Sequence, residues 1–563
     1  MLKKDYFRLT IADLIITFLL AFMFTVAPSY ISKGSLVFSR FSAIYMALNF
    51  ILFLAIECVA RWILSVPDKS ASNKILTAFD NLVNRKNSLG ILTLLMFLFW
   101  LPTLIILYPG TAINDTWGQL TQYLYAFYSG NTIQFEYIGD HHPVITTFIM
   151  GQIIVPIGRI TGNMQIGFFV YVLFQSLLTC LTFSYSLIYI RKKLQAGAGF
   201  VLTAFLLYSL FPIFPCSAQT ICKASMSAVA FTIFTVLFME LLRSDGKSLD
   251  SRQHLAYFVI ICWAVCVTKK VSFYVVGLSL LAAIPAIHRN RRKLGLILII
   301  GTLLIQFIWP MAMIHLGITP SGKTEMLSLP YQMTARYVKE HPDDITEEEY
   351  AVIDNMLQYS NLAERYDAIS ADPVKGFAFY ERFTGKEYAD YFRVWLAQGL
   401  RHPDSYINAI LAMESGWFSF SKYYPLLDME WHSQLNPALF SETCVERPAA
   451  NANLARNYQK GLDALYNIFL LRPLFSYGLY ASLLPAFVIS TLMRKIKTTN
   501  GCALVATAPM FFSIALGCWL APLSIHFEGR RYLYPVTYTI LVMIAWCRYW
   551  LLTESRSSES ESR

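Results

Sequence analysis

Twelve stretches of this chain are apolar enough to sit in a bilayer, and that repeated pattern leaves few folds open. A helix needs about 20 mostly apolar residues to cross the hydrocarbon core. Residues 9–27, 41–64, 91–108, 164–190, 198–214, 225–242, 255–267, 271–287, 294–315, 476–492, 503–523 and 532–552 qualify or nearly do. The weakest pair is 255–267 and 271–287, parted only by Thr268, Lys269 and Lys270. Within a membrane only helices and closed barrels satisfy their own backbone, and runs this long are helical. The expectation is an all-α polytopic membrane protein of about 12 transmembrane helices. Composition agrees: 56% of residues are hydrophobic and 15% charged, against about 25% charged in a soluble domain. A soluble enzyme, a disordered chain, a collagen-like fibre and a disulfide-rich secreted domain are thereby excluded. The first stretch follows MLKKDYF as a signal peptide would, but no small-residue cleavage site stands near Ala27, so it reads as a retained span.

Positive charge orients the chain. With the N-terminus inside, the inner loops and tails hold 24 Lys and Arg and the short outer loops 9, the bias that fixes topology. Both termini come out cytoplasmic. The net charge of +10 is explained by this placement and needs no nucleic acid. A thirteenth apolar run, 144–157, breaks the alternation. Counting it would put Arg191, Lys192 and Lys193 outside, so it reads as an interfacial or re-entrant helix on the outer face, with residues 109–163 folding into a cavity. Residues 317–463 form the only long hydrophilic stretch, with 13 Lys+Arg against 21 Asp+Glu. Apolar residues at helical spacing predict a mostly helical extracytoplasmic domain there. The transmembrane module would then be 1–316, C-terminal spans 464–552, and a disordered tail 553–563. Seven of ten Cys lie in or at spans, and Cys444 stands alone in the outer domain. That pattern fits an envelope poor in disulfides, with a Cys216–Cys222 bridge left open.

Polar residues crowd the loop after the third stretch, from YPGTAINDTWGQLTQ to YIGDHHP. Asp115, Gln119 and Gln122 fall on one helix face. Either Asp115 is a helix cap, for which Asn114 and Asp115 both suit, or it faces a ligand. Pro143 suits a helix start after Asp140, His141 and His142, with His142 or Asp140 near the cap. Two adjacent His can bind a metal, but ligands on one helix usually need i, i+4 spacing. No metal or cofactor is assigned, and hydrogen bonding to a polar ligand is the alternative. Lys223, Lys269, Lys270, Arg530 and Arg531 gather at span ends on the outer face, against the inside-positive trend. They either snorkel to headgroups or hold an anionic phosphate, for which Arg offers a planar fork and Lys a point charge.

These residues resemble the GT-C class of membrane glycosyltransferases. YPG…D…Q followed by HHPVITTFIMGQ, and the later segments LSLPYQMTARYV, YDAISADPVKG, HPDSYINAILAMESGWF and GRRYLYP, resemble a bacterial GT-C-like family of polytopic proteins across most of the chain. The resemblance implies transfer of a sugar from a polyprenyl-phosphate donor to an envelope polymer or glycolipid acceptor on the outer face. It implies Asp115 as catalytic base with Asp140 and His142 as neighbours. Gln119, Gln122, His141, Lys223, Lys269 and Lys270 would bind substrate, and Arg530 and Arg531 would hold the carrier phosphate. Relatives often carry Lys-Asp where this chain has Lys223-Ala224. One carboxylate, direct displacement and inversion would suffice, because a phosphate leaves readily without an acid to protonate it. The rivals are a secondary transporter or lipid flippase, and a non-catalytic scaffold of envelope assembly. Transporters usually place ionisable sites near the bilayer midplane, whereas the mid-span regions here read as almost free of charge and the polar residues cluster at the outer face.

Overall fold

A computed structural model describes residues 9–68, 73–322, 324–376, 378, 383–420, 446–499, 501–520 and 530–560. Among these, the regular structure is helical except for one two-residue strand pairing. Eight helices are long and apolar enough to cross a membrane, or nine if one bent pair counts as a single span. In chain order the first part runs α1 (Ile11–Lys33), α2 (Arg40–Ser65), α3 (Lys74–Asn84), α4 (Ser88–Ile106), β1 (Thr111–Ala112), α5 (Asn114–Tyr128), α6 (Val144–Thr161) and α7 (Met164–Lys192). Then come α8 (Ala198–Leu210) and α9 (Ile213–Gln219), bent 49° apart, followed by β2 (Thr220–Ile221) and α10 (Lys223–Arg243). α11 (Arg252–Thr268) and α12 (Ser272–Ala286) follow, and α13 (Arg291–His315) contains a π-helical turn at Leu304–Ile308. The expected twelve stretches are helical where they are described. Four of them, α11, α12, Leu479–Met493 and Ala508–Leu520, are shorter than a standard span.

The apolar side chains face two ways. α10 is nearly all buried, at the centre of the bundle between α7, α11 and the last helix, Arg530–Ser560. α1, α2 and α13 instead turn Phe18, Leu48, Ile51, Ile56, Ile299 and Phe307 outward. Water would not tolerate such continuous apolar faces; hydrocarbon would.

α6 qualifies as a span by length and apolarity, but its packing sets it apart. A short turn makes α6 and α7 an antiparallel hairpin, in which Gly167 lies against the Ile154 carbonyl and Gly158 against Met164. α7 meets the turn after α4 between Phe169 and Gln175: Phe169 packs on Tyr108, Val172 abuts Gly110, and Gln175 Nε2 donates to the carbonyls of Ala218 (2.7 Å) and Thr220 (2.9 Å) around the strand that pairs with that turn. From there to Lys192 is about 26 Å at 1.5 Å per residue, close to the roughly 28 Å of α4. At the far end Arg191 pairs with Asp80 of α3. α6 therefore begins level with the end of α4 and runs away from the layer that α4 and the second half of α7 share.

One end of the bundle holds a buried cluster of charges. Arg61 donates to Asp13 (2.7 Å) and to Glu57, and Arg494 donates to Asp13 (2.6 Å). Ser490 and Thr491 complete the cluster. It ties α1 and α2 to Leu479–Met493, at the end of the bundle away from Gly110. Charges this buried survive only as pairs. The last helix also continues to Ser560, through most of the run expected to be a disordered tail.

Residues 317–463 are mostly helical where described, with α14 (Ser328–Glu340), α15 (Glu347–Leu357), α16 (Gly385–Arg401), α17 (Pro403–Glu414) and α18 (Ala449–Asn467). Tyr331, Ala335, Ile353, Met356 and Tyr391 form its main core. The segment is sewn to the loop after α4. Thr319 and residues 138–140 exchange backbone hydrogen bonds, and Arg447 donates to the Gly110 carbonyl at 2.6 Å. Cys216 and Cys222 are both buried free thiols, so the bridge left open by the sequence is not formed. Cys444, His526 and Glu528 lie outside the described residues.

Candidate functional site

The site starts from the YPG turn. Gly110 has φ +125°, and a Cβ there would lie 2.5 Å from Val172 Cγ2; only glycine fits. The chain then enters β1, which pairs parallel with β2 in the register Thr111↔Thr220 and Ala112↔Ile221. α5 and α10 begin just after these strands. The pairing therefore sets Asp115 and Lys223, 108 residues apart, side by side.

First-turn residues of α5, α6, α10, α12 and the last helix line one cavity of about 570 Å³. Asp115 Oδ2 accepts from Arg531 Nη1 at 2.5 Å and lies 3.2 Å from Lys223 Nζ. Lys223 Nζ also donates to His142 Nδ1 at 2.9 Å. Lys270 Nζ reaches Asp140 Oδ2 (2.8 Å) and Ser321 Oγ (2.9 Å). Lys269 Nζ stands 5.3 Å from the Tyr532 ring centroid, and among the described residues no carboxylate pairs with it.

The electrostatics follow from this crowding. Burial alone would raise the Asp115 carboxyl, but Arg531, Lys223 and His142 outweigh it and hold it well below the usual carboxylate range. Burial and Lys223 push His142 down to about 3 and lower His141 as well, so both imidazoles are neutral at pH 7. Burial, Lys223 and Arg531 bring Lys269 down to about 8. Helix N-termini carry partial positive charge and favour acids in the first turn. Here Lys223 and Arg531 sit in first turns, with Lys269 and Lys270 just before another. An anion in the cavity would relieve this concentration of positive charge.

Several expected site residues fall elsewhere. Asp115 caps nothing: the N-cap is Ile113, whose backbone N–H donates to the Thr116 hydroxyl at 3.0 Å. Gln119 is fully buried, and its Nε2 donates to the hydroxyls of Thr146 (3.1 Å) and Thr147 (3.2 Å), fastening α5 to α6 instead of meeting a ligand. Gln122 lies against Gly139, outside the cavity lining. Arg530 points away, buried and paired with Tyr534, because one residue along a helix turns a side chain by 100°. His142 acts from behind Lys223, while Asp140, His141, Lys269 and Lys270 line the cavity.

Residues 317–463 add a wall that the sequence did not reveal. Lys375 is almost fully buried, 2.6 Å from Glu325 Oε2 and 3.0 Å from Asp372 Oδ1, and all three face the cavity. The Asp-Pro-Val-Lys run inside YDAISADPVKG was the one available signal. Val267, Phe273, Ile305, Trp309 and Leu520 add an apolar stretch of wall. A second, apolar cleft of about 290 Å³ between α11, α12 and α13 shares Cys266, Phe273 and Ile305 with it. Ile305 and Gln306 belong to the π-helical turn of α13, a distortion that often marks a functional site.

Residues 2–562 match a family described as "Family of unknown function (DUF6020)", and the chain belongs to that family. No curated protein and no solved structure matches it.

Proposed function

We propose that this member of the DUF6020 family is a membrane glycosyltransferase of GT-C type, taking a sugar from a polyprenyl-phosphate donor and passing it to an envelope polymer or glycolipid acceptor. The carrying observation is a pair of neighbouring spaces: a cavity walled by Arg531, Lys223, Lys269 and Lys270, beside an apolar cleft that shares Cys266, Phe273 and Ile305 with its lining. That shape suits an amphiphile with a phosphate head and a hydrocarbon tail. The 24-to-9 charge bias supports twelve spans, cytoplasmic termini, and a cavity in the outer leaflet with residues 317–463 above it. On this reading α6 lies beyond the bilayer core.

The chemistry needs an acceptor hydroxyl to attack the anomeric carbon while the carbon–phosphate oxygen bond breaks. The departing phosphate keeps the electron pair, and the cations stabilise its charge in a site with little water. Asp115 takes the acceptor's proton. Held so far below its usual range by its cation neighbours, it is a poor base, because efficient bases titrate near the working pH. A bound phosphate competes for Arg531 and Lys223 and so raises Asp115 toward usefulness. One observation favours a second reading. The four carboxylates of Asp115, Asp140, Glu325 and Asp372 facing the cavity are all ion-paired, which suits a lipid-phosphate binder or flippase that transfers nothing.

The test is purified protein with a radiolabelled polyprenyl-phosphate sugar, alongside mass spectrometry of envelope polymers from cells with and without the gene. Sugar transfer lost on deletion supports the enzyme. Binding without transfer, and unchanged polymers, would leave the flippase; no binding would end both.

A further inference from the structure

The outer domain carries the same short motif twice. His341-Pro342-Asp343-Asp344 follows α14, and His402-Pro403-Asp404-Ser405 follows α16. Each His ends its helix with matching backbone, φ −133° and ψ 55° at His341, φ −130° and ψ 72° at His402. Each backbone N–H also closes on the carbonyl four residues earlier, Tyr337 and Gln398. Proline next in line stops both helices in the same way.

The two copies face each other. The imidazoles stack at 3.7 Å between centroids with 14° between planes. Their outer nitrogens are engaged reciprocally, each with the fourth residue of the other motif. His341 Nε2 meets Ser405 Oγ at 3.1 Å, and His402 Nε2 meets Asp344 Oδ2 at 3.3 Å. Ser405 gives its one hydroxyl proton to Glu340 Oε2 at 2.5 Å, so its oxygen accepts from His341. A carboxylate likewise accepts from His402. Both rings therefore carry their proton on Nε2, and each Nδ1 is left as a bare lone pair. One nitrogen of each ring and an oxygen of the exposed Asp404 lie within 4.8 Å of one another.

We propose that His341, His402 and Asp404 bind a divalent transition-metal ion, with Zn2+ the best chemical match. Two imidazoles and a carboxylate are borderline donors that suit Zn2+ better than Mg2+ or Ca2+, which prefer all-oxygen shells. The Nε2 bonds to Asp344 and Ser405 are the outer contacts that fix tautomer and ring orientation in His–metal sites. Donors around one Zn2+ sit about 2.0–2.2 Å from it, so the site closes when the two half-buried rings tilt out of their stack to aim their lone pairs at one ion and the exposed Asp404 swings in. With three protein ligands the fourth position stays open to water. The ion would clip the end of α14 to the start of α17. Those helices also hold the outer domain to α1, through Arg336 to the Gly34 carbonyl and Tyr30 to Asn408.

The experiment uses the full chain in detergent, purified without a histidine tag and stripped with chelator, then titrated with Zn2+ or Co2+. The expected result is one ion per chain, a visible absorption band for four-coordinate Co2+, and a higher melting temperature with Zn2+. Asp404→Asn, an exposed change that the fold tolerates, should weaken binding at least ten-fold, and His402→Gln should do the same. His141→Gln in the cavity should leave it unchanged. No stoichiometric binding, binding untouched by Asp404→Asn and His402→Gln, or binding lost only with His141→Gln would each overturn the proposal.

Discussion

Lys269 offers the sharpest test of the phosphate site, because its charge is poised to change within an accessible pH range. Its ammonium faces the cavity with no carboxylate partner among the described residues, and burial with Lys223 and Arg531 nearby brings it down to about 8. An anion seated beside it would gain a charge-assisted hydrogen bond worth roughly 1.5–3 kcal/mol in such a site, or about 10- to 150-fold in affinity. The sign follows from linkage. Bound anion favours the protonated lysine and raises it by about one to two pH units over the empty state. Affinity is then flat below pH 8, falls as pH rises through 8, and levels off near pH 9–10. A polyprenyl phosphodiester is the right probe, because its single charge does not change across this window. His142, pushed down to about 3, is neutral throughout, Asp115 is ionised throughout, and His141 is held below its ordinary value by burial and Lys223. Binding would be followed by microscale thermophoresis in detergent between pH 6.5 and 9.5. Lys269→Gln should bind about 10- to 150-fold more weakly at pH 7 and lose the slope. A flat profile in the wild-type protein, or the same slope in Lys269→Gln, would refute the reasoning.

Arg531→Ala should weaken binding of the same probe about 10- to 150-fold, whereas Arg530→Ala, which lies off the cavity, should lower the melting temperature and leave affinity within a few-fold; equal effects would remove the distinction. Asp115→Asn should cut the transfer rate about 10²–10⁴-fold with expression unchanged, and full activity would discard Asp115 as base. Gly110→Ala forces a Cβ against Val172 at φ +125° and should cost about 1–3 kcal/mol, seen as a lower melting temperature and a weakened phosphate site. Cysteine placed at Tyr350 should react with an impermeant thiol reagent in intact cells and cysteine at Lys74 should not; the reverse would invert the orientation.

The apolar stretches were legible because a bilayer imposes length and composition directly on each helix, with no need for a partner. The clustering of Lys223, Lys269, Lys270 and Arg531 at helix ends, and the start of a helix at Asn114, could likewise be read from the chain. The all-α class, the charge asymmetry and the hydrophilic 317–463 segment belong to this group. Each is a property of local sequence that physical chemistry reads one segment at a time.

Which of those residues meet was decided by tertiary structure. Spacing put Gln119 on the face of Asp115, yet hydroxyls from α6 claim Gln119 while cations from α10 and the last helix claim Asp115. Arg530 and Arg531 are chemically alike in sequence, and only the rotation of one helix sends one into the cavity and the other into the core. Lys375, Glu325 and Asp372 enter the site because residues 317–463 are sewn to the loop after α4, a long-range pairing that no local pattern encodes. The physical reason is common to all three cases. Periodicity fixes the direction of a side chain relative to its own helix, but a buried polar group is defined by whatever the rest of the chain brings within hydrogen-bond reach.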